Sequence, residues 1–392
     1  MKLKIILIFY LINVNFVNSQ TYIPVYGNIV NQVSQQNILD DLTEFEALGV
    51  KAQGNTSLGN TLNWLKNKYL SYGYAPSQMT EQIYTYNGTT NKNLILTKTG
   101  TVYPNIFVII DGHYDTLKGS GTNDNGSGIA CILETARLLQ NIQTEYSIKF
   151  INFSCEEDGL IGSKQFVSQV VNASNPKMNI RLVLNIDEVG GVKELINDNI
   201  TCERDIDGTP SSNNAQSSIF TNELLNIVGL YSPLKTTLSY AYASDYMSFQ
   251  SNNEIITGLF ETNETIHKHT TSDFLVYMDP VYNYNVAKVA VGAMLHFAVA
   301  NTTLATINFE NEFQVNFSPN PTNDILTINL GNLSDDFYTF SIIDIQGKKV
   351  FINKFENVKQ FQTINISSFS KGIYLGILET SKNKIVKKFI IN

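Results

Sequence analysis

The chain has 392 residues, 43% of them hydrophobic and 16% charged, with a formal charge of −8. That length predicts two to three domains, the apolar fraction excludes bulk disorder, and the acidic balance excludes a nucleic-acid surface built on clustered lysines and arginines. The length also excludes a disulfide-stapled minimal fold, and the three cysteines, Cys131, Cys155 and Cys202, allow at most one disulfide and leave one thiol free. They read instead as small buried apolar side chains, because Cys131 and Cys155 lie inside apolar runs and none has the spacing of a thiolate metal site.

At the start, Lys2 and Lys4 precede an apolar run from Ile5 to Ile12, and Val17-Asn18-Ser19 offers a cleavage site, so residues 1–19 predict a removable export signal. The run breaks at Asn13, well short of the ~20 residues a bilayer span needs, and no transmembrane segment is expected further on. Val33, Ile38, Leu39, Leu42 and Phe45 fall at helical spacing, and Leu58, Leu62, Leu65 and Tyr69 do so again, which predicts two amphipathic helices. The period then shifts. Residues 93–97 and 106–110 are short β-branched runs closed by turn residues, the pattern of buried strands.

Helix 128–140, strand 147–153, helix 159–171, strand 180–186 and helix 216–228 follow, and a long apolar-faced helix over 280–300 closes the series. Strands alternating with helices predict an α/β domain over residues 20–303: three layers, with a mostly parallel mixed sheet flanked by helices. Beyond a linker at 304–312 the helical period disappears. Short alternating stretches such as 325–330, 340–344 and 373–378 predict a small immunoglobulin-like all-β sandwich over 313–392.

The chemistry-bearing residues recur where predicted strands end. Strand 106–110 runs into Asp111-Gly112-His113-Tyr114-Asp115, and alternate residues of an extended chain share a side, so His113 and Asp115 face one another. The glycine-rich loop 119–128 carries Asp124 just before a helix, but lacks the Gly-Lys-Ser/Thr of a phosphate loop. Strand 147–153 delivers Glu156 and Glu157, adjacent carboxylates that are costly unless cations, a proton or a helix N-terminus relieve them. Strand 180–186 delivers Asp187, and a polar loop holds His269 and Asp273. Carboxyl ends of strands are where open α/β sheets place their sites.

The ordered set His113-x-Asp115, Asp124, Glu156-Glu157, Asp187 and His269-x-x-x-Asp273 resembles the bacterial leucyl aminopeptidases with two co-catalytic zincs, over residues 31 to 300. The resemblance implies two Zn²⁺ per chain: His113 and Asp187 on one, Glu157 and His269 on the other, and Asp124 bridging both. It implies Glu156 as general base toward a metal-bridging hydroxide, Asp115 as the partner of His113, and peptides with a free N-terminus as substrates. His267 is a rival to His269 but lacks its Thr-x-x-Asp continuation, and His296 reads as structural.

In the family a tyrosine near a Ser-Asp-His sequence assists the oxyanion. Here Tyr240-Ala241-Tyr242-Ala243-Ser244-Asp245-Tyr246 puts Tyr246 in place of the histidine and leaves Tyr242, with Tyr240 as alternative, for that part; a packed core tyrosine is equally consistent. Relatives commonly follow the zinc aspartate with an apolar residue, whereas Asp187 is followed by Glu188. Either Glu188 lines the pocket for the first substrate side chain and favours lysyl and arginyl ends, or it meets solvent or a base such as Lys193. Two other functions compete with the aminopeptidase, a single-zinc glutaminyl cyclase and a catalytically inactive surface-binding protein, and carboxypeptidases and dipeptidases with related sites remain open.

At the other end, Ser318-Pro319-Asn320-Pro321, Gly347-Lys348, Lys371-Gly372-Ile373-Tyr374 and the basic run Lys384 to Ile390 resemble the type A sorting domain of the type IX secretion system of Bacteroidetes. That implies the type IX secretion machinery as partner, a secreted or cell-surface location, and removal of the sorting domain on export. The alternative is an adhesive or carbohydrate-binding sandwich.

Overall fold

The computed structural model describes residues 21–301, 315–330, 337–344, 348–356, 361–379 and 384–392, so the expected export signal and linker lie outside the described residues. The chain divides into one unit up to Thr303 and a second from Leu304.

The first unit opens with three helices. Helix α1 (Pro24–Val30) starts on a proline, whose missing N–H is free of cost in a first turn. Helix α2 (Gln35–Ala47) starts where the Ser34 side chain accepts from the Asn37 N–H, and it buries the stripe Ile38, Leu42 and Phe45. Helix α3 (Thr56–Ser71) buries Leu58, Leu62, Leu65 and Tyr69. Strands β1 (Met79–Tyr86) and β2 (Thr89–Lys98) form a hairpin around Asn87-Gly88, both at positive φ as its two-residue turn requires.

There follow β3 (Tyr103–His113), α4 (Gly126–Leu139), β4 (Tyr146–Phe153), α5 (Ile161–Phe166) with one π-helical turn over Val167–Val171, and β5 (Asn179–Ile186). Then come β6 (Asn199–Arg204), α6 (Asn214–Tyr231), β7 (Lys235–Tyr240), α7 (Tyr246–Gln250), β8 (Ile256–Glu261) and α8 (Pro280–Phe297), the last capped by the Asp279 side chain.

All eight strands join one mixed sheet in the order β1-β2-β4-β3-β5-β8-β6-β7. Its centre, β4-β3-β5-β8, is parallel. Side chains of β3 alternate between two cores: Val108 and Ile110 pack with α2, α4, α6 and α8, while Ile109 packs with Phe166 of α5 and Phe249 of α7. Both faces being covered explains why the central strands read as unbroken apolar runs, and it makes the unit three-layered. Strands β1, β6, β7 and β8 were not anticipated. Strand β8 carries Gly258, which weakens a strand signal, and every residue of β7 is exposed, so neither shows an apolar pattern. All three cysteines are buried and unpaired. No helix among the described residues is long and apolar enough to cross a membrane.

The second unit contains β9 (Asn316–Ser318), β10 (Ile325–Asn329), β11 (Phe337–Asp344), β12 (Lys349–Glu356), β13 (Phe361–Asn365), β14 (Gly372–Glu379) and β15 (Lys384–Ile391). They form two antiparallel sheets, β13-β10-β9 and β12-β11-β14-β15. Phe317, Leu326, Ile328 and Ile364 from one sheet and Tyr338, Phe340, Leu378 and Phe389 from the other share a single core, as a sandwich requires.

Candidate active site

Because β4, β3, β5 and β8 are parallel neighbours, their carboxyl ends open on the same edge of the sheet. His113 ends β3, Glu156 and Glu157 follow β4, Asp187 follows β5, and the loop after β8 carries His269. Asp124 arrives from the glycine-rich loop ahead of α4. Two glycines there have steric work to do. Gly121 takes φ +61°, and a Cβ on Gly128 would lie 2.4 Å from the Ile186 carbonyl oxygen, so only glycine lets α4 start this close to the end of β5.

The six side chains meet. His113 Nε2 lies 3.1 Å from Asp124 Oδ1 and 3.3 Å from Asp187 Oδ1. His269 Nε2 lies 3.1 Å from Asp124 Oδ2 and 3.2 Å from Glu157 Oε2. Two bonds of about 2.0–2.1 Å at a tetrahedral angle put donor atoms about 3.3 Å apart, so each trio has the spacing of ligands around one zinc ion. Asp124 belongs to both, one oxygen to each. Asp124 Oδ2 and Asp187 Oδ1 are buried without a hydrogen-bond partner, which suits atoms whose partner is a cation. Burial and the nearby Asp124 carboxylate push Glu157 up to about 8, and burial, with Asp245 and Asp187 adding to it and His113 opposing, pushes Glu156 well above the usual carboxyl range. The protein alone leaves this negative charge uncompensated. Each trio therefore has a donor set that suits a divalent metal ion such as zinc.

Neighbouring groups fix the donors. His113 Nδ1 faces the Asp115 backbone carbonyl at 3.1 Å, an acceptor only, so that nitrogen holds the proton and Nε2 keeps its lone pair for the site. The Asp115 carboxylate stands farther off at 3.7 Å and instead accepts from the backbone N–H groups of Glu156 and Glu157, at 3.1 and 3.2 Å. It thus sets the turn that aims both glutamates. Asp187 Oδ2 accepts from Ser244 Oγ at 2.7 Å. The Asp273 carboxylate takes the backbone N–H groups of Asn123 and Asp124, at 2.9 and 3.0 Å, and so fixes the Asp124 loop.

Glu156 Oε2 lies 3.9 Å from His113 Nε2, beside the trios and outside both. A cavity of about 490 Å³ opens over them and is lined also by Leu160, Glu188, Glu203, Tyr242, Tyr246, Phe260 and Lys268. Tyr242 lines this cavity and is 75% exposed; Tyr240 does not line it, and its hydroxyl accepts from Arg204. Tyr246 is buried, donating from its hydroxyl to Glu203 and accepting from the Tyr242 N–H. His267 stands apart, stacked on Tyr277 with centroids 4.0 Å apart. His296 sits beside Tyr231, and burial lowers it to about 4. Sequence reasoning missed Glu203, Lys268, Glu261 and Phe260. They come from β6, β8 and the following loop, strands that lacked an apolar pattern and so placed no residue beforehand.

Residues 93–294 match the model of Peptidase family M28, and residues 316–392 match that of the Secretion system C-terminal sorting domain. A probable zinc metalloprotease of Pyrenophora teres f. teres is 27% identical over 286 residues, 66% of this chain and 58% of that protein. Aminopeptidase YwaD of Bacillus subtilis is 34% identical over 116 residues, 29% of this chain and 25% of its own length. The chain thus spans well under two thirds of these curated relatives. Among solved structures, the LapA aminopeptidase of Legionella pneumophila shares the fold with a TM-score of 0.62 at 21% identity, covering 76% of this chain and 80% of that one.

Proposed function

Because this chain belongs to peptidase family M28, we propose that it is a zinc-dependent aminopeptidase that hydrolyses the N-terminal peptide bond of exported or external peptides. The observation that carries the reading is Asp124, whose two oxygens face two complete trios, each with one imidazole and one further carboxylate. His113, Asp187 and Asp124 would hold one zinc, and Glu157, His269 and Asp124 the other. Zinc bound there would polarise the scissile carbonyl and lower the pKa of a water from its bulk value toward about 7.

Glu156 would take the proton of the attacking water on its carboxylate and deliver it to the leaving nitrogen, which a buried carboxyl with a raised pKa is suited to do. Asp115 accepts from the Glu156 backbone N–H and would hold it for this task, and Tyr242, which lines the cavity, would donate from its hydroxyl to the developing oxyanion. The three ligand carboxylates and Glu156 balance two zinc ions in charge. Glu188 and Glu203 then outnumber Lys268 among the remaining lining groups, which favours a substrate end bearing an ammonium over one bearing a carboxylate. A single-zinc cyclase would need only one trio, and a dead binding protein neither.

Leucyl and lysyl anilides should be cleaved, their N-acetylated forms should not, and a chelator should abolish the activity until zinc is returned. Equal cleavage of blocked substrates, or cyclisation of an N-terminal glutamine with one zinc bound, would overturn the reading.

We propose further that residues 20–303 form the catalytic domain, 304–312 a linker, and 313–392 the signal by which the type IX machinery exports the protein to the cell surface or medium. A chain ending at Thr303 should hydrolyse anilides with kcat/KM within about threefold of the full protein, yet stay inside the cell. Loss of activity in a truncated chain that still folds would mark the sandwich as a substrate-binding module instead.

A further inference from the structure

Glu188 directly follows Asp187 and is only 7% exposed, so it does not meet solvent, and its ion partner is Lys268, not Lys193: Glu188 Oε1 to Lys268 Nζ is 3.3 Å. Its backbone is clamped on both sides. The Glu188 N–H donates to Asn125 Oδ1 at 3.3 Å, its carbonyl accepts from the Glu261 N–H at 2.9 Å, and it is held at φ +45°. That backbone conformation is uncommon for a side-chain-bearing residue. Glu188 lines the cavity beside the metal trios.

Lys268 satisfies Glu188 Oε1 and is shared with Glu264, while Glu188 Oε2 is buried with no hydrogen-bond partner. Glu203, a second buried carboxylate, lines the same cavity, and Phe260 and Leu160 give it apolar wall. A buried carboxylate oxygen left unpaired costs free energy that a charge-assisted donor recovers. Long aliphatic stems ending in a cation match a pocket that is apolar along its wall and acidic within.

We propose that Glu188 reads the side chain of the residue being removed and makes the enzyme prefer lysyl and arginyl N-termini over leucyl ones. This rests on the aminopeptidase reading above.

The test compares kcat/KM for lysyl, arginyl and leucyl anilides on the zinc-loaded full chain and its Glu188→Gln and Lys268→Met variants, with calorimetric binding of free L-lysine and L-leucine as a second readout. The lysyl-to-leucyl ratio should exceed about five in the parent, fall at least tenfold in Glu188→Gln, and rise in Lys268→Met, where Glu188 loses its internal partner. Lysine should bind more tightly than leucine to the parent and lose that advantage in Glu188→Gln. A ratio unmoved by either variant, with leucyl anilide still hydrolysed, overturns the assignment of Glu188 alone. Hydrolysis of none of the three anilides overturns the aminopeptidase reading and this inference with it.

Discussion

Glu156→Gln is expected to lower kcat by at least about 100-fold while zinc content and melting temperature stay at the parent's values. The amide keeps the volume and polarity of the side chain but cannot accept and hand on a proton, and a positioned acid/base is worth roughly two to four orders of magnitude. Glu156 stands outside both trios, so the metal donors remain intact. The backbone hydrogen bond from Glu156 to Asp115 is also untouched by the change. The measurement is steady-state hydrolysis of a leucyl anilide alongside elemental analysis. Undiminished kcat would remove Glu156 from the mechanism, and loss of metal would make it a ligand.

Asp124→Ala should empty both trios at once. In the proposed site every other donor would serve one metal, so its loss would leave the second trio whole, whereas Asp124 faces each trio with one oxygen. Deleting even an outer partner of a ligand costs 10–100-fold in affinity, so removing a shared direct donor should weaken each zinc by at least about 100-fold. Zinc titration of the variant should show no tight equivalent where the parent shows two, and turnover should fall to background. His269→Ala is the contrast and should retain one. A single tight zinc retained by Asp124→Ala would show that the carboxylate does not bridge.

How much of this was legible depends on the part of the chain. The centre of the sheet was readable because β3, β4 and β5 are buried on both faces and leave continuous apolar runs, and the residues at their ends follow in order. The outer strands were not. Strand β7 is exposed along its length, and β6 is short and mixed. The β1–β2 hairpin carries a readable mark in Asn87-Gly88, a turn pair that demands positive φ, but β1 buries Gln82 and Tyr84 and exposes Ile83, so its burial does not follow an apolar alternation.

In the site, His113, Asp124, Glu157, Asp187 and His269 could be placed in sequence order, but the groups around them could not. That Asp115 works chiefly through its contacts with the Glu156 and Glu157 amides, and that Tyr246 answers to Glu203, depends on segments far apart in the chain. Lys268 was unforeseen as the partner of Glu188 for the same reason: the two are 80 residues apart.

The carboxylate of Asp273 holds amides 150 and 149 residues away, and it does not act alone. Asn123, between those amides, donates from its side chain to both oxygens of Glu261 and accepts from the Gly190 N–H, while Glu261 also accepts from Gly191 and Thr265. The segments bearing Asp124, Asp187 and His269 are therefore knotted into one cooperative unit. A fluctuation that frees the loop around Asp273 strips the partners from Asn123 and Asp124 in the same event. Damage to this knot would be felt as loss of the whole catalytic edge in a single step, with the sheet beneath it still folded.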